Sequence, residues 1–394
     1  AVSLPEAPLL AVLPGTGGLT RVTDKRHVRH DLADLFCTSV EGVRGQKAKD
    51  WRLVDDIAKA VDFARKVQTR ALELAAQSDR PADGKGVVLK PLNRAVEADA
   101  LRYTNVTVEI DRAKRTATWT VKAPTGAQPS DIAGIEAAGA DWFPLVMARE
   151  LEDAILMMRT NELDIGTWLI KTEGDVAAVL AMDAILRAHQ GHWFVRETVG
   201  LLRRTLSRLD VSSRSLFALI DQGSCFAGTL LELALACDRS YMLALPENAA
   251  RAPRIALDAA NFGSYPMATG QSRLARRFYE EPQPLHDVRA RSGESLDADA
   301  AFQLGLVTAS PDDIDWDDDT RVAIEERSSM SPDALTGMEA NLRFPGAENE
   351  TSKIFARLTA WQNWIFIRPN ATGPEGALSL YGKPQRPHFD WNRV

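Results

Sequence analysis

Glu6 is the side chain whose setting in this sequence most strongly suggests acid–base chemistry. It lies in SLPEAPLLAVLPGTGG, residues 3 to 18, with Leu4, Leu9 and Leu10 close by. Burial among apolar side chains raises the pKa of a carboxyl group toward neutrality, where the group can both give and take protons. The alternative is a solvated loop carboxylate, because most glutamates are exposed.

The glycines after Glu6 favour a backbone turn rather than a phosphate site. Gly15, Gly17 and Gly18 follow an apolar stretch, but the Lys-Ser or Lys-Thr pair that completes a phosphate-binding loop is missing. We therefore expect these glycines to shape the chain locally.

Histidines and cysteines are also expected to be structural or solvent-facing. His27 with His30, and His189 with His192, have the i, i+3 spacing of a helix face, but no third ligand stands at metal-binding distance in the sequence. Cys225 follows an apolar strand and is expected to pack in the interior. The acidic run from 312 to 319 lacks the glycine of a calcium loop and is expected to be solvated. No metal site is predicted.

Composition narrows the class of protein. Lys and Arg total 47 against 54 Asp and Glu, and neither sign forms a long block, so a nucleic-acid partner is not expected. The apolar runs are too short to span a membrane, so no membrane partner is expected either. The cysteines Cys37, Cys225 and Cys237 are too few and too scattered for a disulfide framework, which favours a reducing cytoplasm. The first residues read as the middle of a folded unit, so we expect a fragment.

Hydrophobic periodicity predicts the elements around Glu6. An extended apolar stretch, PLLAVLP, should lead into the glycines and then a helix. An amphipathic helix is predicted from Val54 to Ala76, with Ile57, Val61 and Phe63 on its apolar face. Residues 77 to 100 are rich in turn formers and are predicted to link two domains.

The chain beyond residue 100 predicts an α/β unit. YTNVTVEI and TATWTVKA form a predicted β-hairpin, GAQPSDIAGIEAAGA a loop, and 143 to 158 a helix. The buried strands GTWLIKTEG and SLFALIDQG follow, and then an apolar helix from Thr229 to Cys237. SPDDIDWDDD is predicted to be an acidic loop, followed by a helical tail around IFARLTAWQNWIF.

Two segments resemble the crotonase (enoyl-CoA hydratase/isomerase) superfamily. Residues 3 to 22 are similar to its Pro-Glu pair, apolar strand, proline and Gly-Gly loop, and the resemblance implies that Glu6 is the catalytic acid or base. Residues 215 to 244 are similar to the strand, glycine turn and buried helix of its acyl pocket, most specifically in LELALACD. In the family a backbone N–H at that turn stabilises the enolate of a coenzyme A thioester.

The second copy of the pattern resembles a catalytically degenerate unit. Only Gly228 remains of the glycine turn, and Ala259 stands where the family carries a catalytic glutamate. Glu232 matches the family's other glutamate and is expected to be a structural remnant. The closing segment ESLDADAAFQLGLV extends the resemblance over nearly the whole unit.

The resemblance therefore implies an α/β fold of crotonase-like ββα spiral units, one partial and one complete but degenerate, with a helical C-terminal tail. The expected domains are 1–76, the end of a catalytic unit; 77–100, a linker; 101–325, a degenerate scaffold unit; and 326–394, a tail that favours a homodimer.

The two-unit pattern is similar to ring-cleaving lyases of this superfamily. They act on dihydrodiol or epoxide forms of benzoyl-CoA in aerobic benzoate degradation, with water as reactant and with formate and an aldehyde-bearing didehydroadipyl-CoA as products. The resemblance implies no metal and no redox cofactor, and coenzyme A enters as part of the substrate. It also implies that this chain lacks a complete site. The alternatives are a plain enoyl-CoA hydratase or isomerase, and a non-catalytic scaffold module.

Overall fold

The computed structural model describes residues 1–80, 83–346 and 348–393. The chain divides into two compact units, residues 1–86 and 87–394. The division falls inside the segment predicted as a linker, where Pro, Gly and charged residues supply little apolar surface.

The first unit is helical. Its helices are α1 (Gly18–Thr20), α2 (His30–Thr38), α3 (Gly45–Asp50) and α4 (Ala60–Ala76), with wide helical turns at Glu6–Leu10 and Arg21–Lys25. A small core holds Val22, Phe36 and Val43 among its members. The predicted extended stretch after Glu6 is wrong, because residues 6 to 10 close a helical turn that Pro5 begins by accepting the N–H of Leu9.

Helix α4 begins later than predicted and buries no side chain within its unit. It starts at Ala60, after an irregular segment in which Lys49 and Lys66 both bond to Asp56. Val61 and Phe63, predicted to line a buried face, are 86% and 61% exposed. Its apolar positions therefore contribute nothing to the core of this unit.

The second unit is built on a seven-stranded sheet whose strands lie in chain order. They are β1 (Ala95–Val96), β2 (Ala100–Arg102), β3 (Val106–Asp111), β4 (Thr116–Lys122), β5 (Thr167–Glu173), β6 (Ser215–Ile220) and β7 (Arg239–Met242). Pairing is antiparallel from β1 to β4 and parallel from β4 to β7. The predicted hairpin is β3–β4, and the predicted strands of residues 166–174 and 215–223 are β5 and β6.

Parallel strands need helical crossovers, and these fill the middle of the chain. The helices up to the edge strand β7 are α5 (Ile132–Ala138), α6 (Phe143–Asn161), α7 (Val176–Ala188), α8 (Trp193–Asp210) and α9 (Gly228–Leu235). The predicted loop at 126–140 is wrong in part: Asp131 accepts the N–H of Gly134 and so caps α5. The helices predicted at 143 to 158 and from Thr229 to Cys237 are confirmed as α6 and α9.

One large core joins the sheet to helices α6, α8 and α9. Trp119 of β4 and Trp168 of β5 are fully buried in it, with ring centroids 4.7 Å apart. The two rings bury a large apolar area, and their fit against each other favours one register between the neighbouring strands. The middle of the sheet is thus fully buried at this pair.

The C-terminal region is mainly helical. It contains one short pair of strands, β8 (Ile255–Ala256) and β9 (Ser295–Leu296), and most of the residues between and after them lie in helices. These are α10 (Arg273–Arg277), α11 (Pro282–Ala290), α12 (Ala298–Gln303), α13 (Trp316–Ser329), α14 (Pro332–Arg343), α15 (Glu350–Ser352), α16 (Thr359–Phe366), α17 (Pro369–Thr372) and α18 (Ala377–Leu380). A wide helical turn, Lys353–Leu358, leads into α16.

The predicted acidic loop is partly wrong. Its last four residues, from Trp316 to Asp319, form the first turn of α13, where negative charge suits the positive end of a helix. No helix in the described ranges is both long enough and apolar enough to cross a membrane.

Candidate active site

Glu6 lies at the first residue of the turn Glu6–Leu10, directly after Pro5. The residue is half-buried, and its Oε2 atom is shielded from solvent. Within the described part of the chain, Oε2 has no hydrogen-bond partner. Buried polar atoms are nearly always bonded, so an unused buried oxygen is an acceptor available to another molecule.

The apolar pocket predicted around Glu6 is only partly present. Leu4 packs against the core of the first unit, but Leu9 and Leu10 are 59% and 66% exposed because the helical turn directs them outward. Cys37, on α2, is buried and lies near enough for the Glu6 charge to act on it. Burial, with the negative charge of Glu6, raises the pKa of the Cys37 thiol, so that thiol stays neutral.

Two of the glycines after Glu6 lie where the backbone has little room for a side chain. Gly17 has φ of +98° and precedes α1. A Cβ on Gly18 would lie 3.2 Å from side-chain atoms of Leu4 and Pro14. The chain therefore folds back tightly beside Glu6, and a larger residue at 18 would push Leu4 aside.

Glu232, the other predicted glutamate, is fixed inside the second unit. It lies on α9 and is 1% exposed. Its Oε2 accepts from Arg273 at 2.8 Å and its Oε1 accepts from Asn261 at 2.7 Å. Burial raises the pKa of Glu232, while the charge of Arg273 opposes that shift. Both oxygens are therefore used by the protein.

Arg273 bridges two carboxylates, which sequence reasoning missed. Besides Glu232, it donates to Asp210 at 3.1 Å through Nε and at 2.7 Å through an Nη atom. All three side chains are 2% exposed or less. The bridge joins the end of α8 to α9 and α10. Asp210 lies 22 residues before Glu232, and Glu232 lies 41 residues before Arg273, so no local sequence pattern predicts it.

Asp183 meets the start of α9, and it too was missed. The Thr229 N–H donates to its Oδ2 at 2.7 Å, and the Thr229 hydroxyl donates to its Oδ1. The Tyr265 hydroxyl lies 2.8 Å from the Thr229 oxygen. Burial raises the pKa of Asp183 to about 7. The one sequence signal was an aspartate in the middle of the mostly apolar helix VAAVLAMDAILRA.

Two further backbone positions bear on the predicted acyl pocket. Gly174, just after β5, donates its N–H to the carbonyl oxygen of Gly223 at 3.0 Å. Ala259 begins a short 3₁₀ helix that Asp258 caps, and its methyl side chain is exposed. Neither position offers a free polar group to a ligand.

The remaining candidate residues carry no catalytic geometry. Cys225 and Cys237 are buried, and burial raises the pKa of each thiol. His189 contacts the carbonyl oxygen of Ser130, and His192 lies 3.3 Å from Glu136. No group of three metal-ligating side chains occurs among the residues the structure describes.

A cavity of about 650 Å³ opens in the C-terminal region. Trp361, Trp364, Glu339 and Arg343 are among the residues that line it. Arg343 donates to both oxygens of Asp238, at 2.8 and 2.6 Å. The charged groups of the cavity are therefore already paired within the protein.

Comparisons with known proteins give one strong sequence match. No family model matches the chain. The curated protein named benzoyl-CoA-dihydrodiol lyase, from Aromatoleum evansii, is 59% identical over 395 residues, covering 100% of this chain and 70% of that protein.

Solved structures give the fold. An enoyl-CoA hydratase from Bacillus anthracis is 15% identical with a TM-score of 0.51, covering 73% of this chain and 100% of that one. An enoyl-CoA hydratase/isomerase from Marinobacter aquaeolei is 15% identical with a TM-score of 0.50, covering 73% of this chain and 98% of that one. The predicted crotonase-like fold is confirmed at this level.

Proposed function

The chain belongs to the benzoyl-CoA-dihydrodiol lyase family, and from that premise we propose that it is a carbon–carbon lyase that opens the ring of 2,3-dihydro-2,3-dihydroxybenzoyl-CoA. The observation that carries the proposal is 59% identity along the entire chain. The fold shared with enoyl-CoA hydratases agrees with a coenzyme A thioester as substrate. A benzoyl-CoA 2,3-epoxide with water is the alternative entry to the same chemistry.

The proposed reaction balances with water alone. The dihydrodiol and one water become a 3,4-didehydroadipyl-CoA semialdehyde and formate, with no net oxidation. The proposal therefore calls for no redox cofactor, and it routes no step through a metal. The protein must supply proton transfer and stabilisation of negative charge on the thioester oxygen as the ring C–C bond breaks. A cytoplasmic location suits such a metabolic step.

Glu6 is the residue we assign to proton transfer. Its support is the buried, unpartnered Oε2 atom, which can accept a proton or hold one for delivery. Glu232 is a poor choice for the same task, because Arg273 and Asn261 use both of its oxygens. In this proposal residues 1–76 end the catalytic unit, and 101–325 form a scaffold unit that has lost its own chemistry.

The tail of residues 326–394 is proposed to join two copies of the protein. Its exposed apolar side chains support this, since Phe355 is 72% and Ile367 is 78% exposed. The prediction is a homodimer, which sedimentation of the full-length protein would detect.

The test of Glu6 is a Glu6→Gln variant of the full-length protein. We expect turnover to fall at least about a hundredfold, which is the low end for loss of a general acid or base. Formate release from the ring substrate is the measurement. Glu41→Gln is the matched control, because Glu41 is an exposed carboxylate of the same unit. Near-normal turnover by a folded Glu6→Gln protein would remove Glu6 from the mechanism.

A plain enoyl-CoA hydratase is the competing function, since the fold neighbours carry that name. Activity toward crotonyl-CoA distinguishes the lyase from the hydratase. The lyase proposal expects formate from the ring substrate and no comparable hydration of crotonyl-CoA. Efficient hydration without formate would favour the hydratase, and inactivity toward both would favour a scaffold.

A further inference from the structure

The cavity of about 650 Å³ in the C-terminal region is not used by the proposed chemistry. Its lining includes Ser212 and Ser213, which come just before β6, and Arg343, whose partner Asp238 comes just before β7. The cavity therefore lies at the amino ends of these strands, whereas the predicted acyl pocket follows the carboxyl end of β6. We propose that the cavity binds a neutral, planar aromatic molecule that carries a carbonyl oxygen. This inference does not depend on the proposed function.

Two tryptophans of α16 give the cavity a surface suited to an aromatic ring. Trp361 and Trp364 both line it, and their rings meet edge to face with centroids 5.6 Å apart. Gly337 of α14 allows α16 to come close, because a Cβ there would lie 3.1 Å from Ile365 Cδ1 and 3.5 Å from Trp361 Cβ. Contact between aromatic rings strengthens binding by about threefold to tenfold beyond the effect of the buried area.

Two polar atoms of the lining have no hydrogen-bond partner among the described residues. Thr336, on α14, is 6% exposed and its Oγ1 atom is unbonded. Arg357, on the wide turn before α16, donates from Nη1 to the carbonyl oxygen of Phe344 at 2.8 Å, but its buried Nε–H is unused. A hydroxyl and an N–H can both donate to a carbonyl oxygen, and buried polar atoms are nearly always bonded. Water would satisfy either atom, but it would leave the tryptophan rings without an apolar contact.

The charges of the lining favour a neutral ligand. Two carboxylates, Asp210 and Glu339, balance two guanidinium groups, Arg343 and Arg357. The guanidinium of Arg357 also has the carboxylate of Glu348 at 3.6 Å. A carboxylate ligand would therefore lose its hydration without gaining an unpaired cation from the described lining. The carbonyl group of an amide, ester or thioester carries no such cost.

A bicyclic aromatic amide suits the cavity in size, since cavities of about 300–1,000 Å³ hold ligands as large as typical drugs. The probe is 2-naphthamide, which is flat and neutral. Its charged counterpart, 2-naphthoate, has nearly the same shape. At the binding energy per atom usual for such ligands, 2-naphthamide should bind with a Kd on the order of 1 mM or tighter. We expect 2-naphthoate to bind about tenfold more weakly or worse.

The experiment measures the Kd of both compounds for the full-length protein by saturation-transfer NMR. Thr336→Val keeps the side-chain shape but removes the hydroxyl, so 2-naphthamide should bind about threefold to tenfold more weakly. Ala360→Phe adds a ring to the lining at an exposed position and should abolish binding. Thr320→Val is the matched control, because Thr320 is a buried threonine of α13 outside the lining, and it should bind like the wild type.

The proposal is supported if both lining variants weaken binding while the control does not. Failure of 2-naphthamide to bind the wild type, or equal binding by all four proteins, would overturn it. Equal or tighter binding of 2-naphthoate would refute a neutral ligand. Thermal unfolding shows which variants are folded, and because the two lining variants act in different ways, either one alone decides the outcome if the other does not fold.

Discussion

Glu6 and Asp183 are two shielded carboxylates with opposite bonding. Glu6, at a helical turn of the first unit, keeps a buried oxygen that no described group contacts. Asp183, at the start of α9 in the second unit, has both oxygens bonded to Thr229. A carboxylate whose oxygens are all used by the protein holds structure together, whereas one with an unused oxygen is available for a substrate. Bonding, more than burial, separates the proposed catalytic residue from the structural one.

The largest expected effect is a loss of stability in the second unit when the buried cation Arg273 is replaced. Arg273→Met leaves Glu232 and Asp210 as buried carboxylates without the guanidinium that pairs with both of them. We expect the free energy of unfolding to fall by about 3–5 kcal/mol, the range for breaking a buried ion pair from one side. Urea unfolding measures it, with exposed Arg203→Met as control. A loss as small as that of the control would mean that the network contributes little.

The next largest expected effect is that of Asp183 on how the stability of the protein depends on pH. The pKa of Asp183 is 3.8 ordinarily and about 7 when folded, chiefly because of burial, with Asp258 raising it and Arg187 lowering it. The folded state therefore holds the proton more tightly, so this group costs stability as pH rises from about 4 through 7. The cost reaches up to about 4 kcal/mol.

Asp183→Asn should remove that part of the pH dependence, because its amide does not titrate. Unfolding of both proteins in urea between pH 5 and pH 9 gives the comparison. The two stability curves are expected to diverge as pH rises, with the variant the more stable above pH 7. Parallel curves would contradict the raised pKa.

The smallest expected effect concerns Glu232. Glu232→Gln disturbs one hydrogen bond with Arg273 while Asp210 still holds the guanidinium, so we expect a loss of about 1–3 kcal/mol in stability. Formate release by the folded variant should be unchanged, unlike that of Glu6→Gln. A large drop in turnover at full folding would show that the second unit takes part in the chemistry.

Sequence reasoning found the elements whose signal is local. Strands β3 to β6 and helices α6 and α9 follow directly from hydrophobic periodicity. The helix α5 was missed, because its glycine and the glycines and proline around it are typical of a loop, whereas Asp131 caps it as a helix. The prediction of an extended stretch at residues 8 to 14 is also wrong at its start, because a short apolar run is compatible with both strand and helix.

The site was harder to predict than the fold. Glu6 could be singled out by motif, but its unpartnered oxygen depends on the three-dimensional path of the turn. Asp183, Asp210 and Arg273 acquire their roles from partners tens of residues away in sequence. Hydrogen bonds between residues far apart in sequence produce no periodic pattern of residue types.

The distribution of tryptophan gives the two units very different optical signals. Of nine tryptophans, Trp51 is in the first unit and the others are in the second, where Trp119 and Trp168 form a close buried pair. Intrinsic fluorescence from these 394 residues therefore reports almost entirely on the second unit. With Trp51→Phe, it would follow that unit alone, while the first unit could melt without a change in emission.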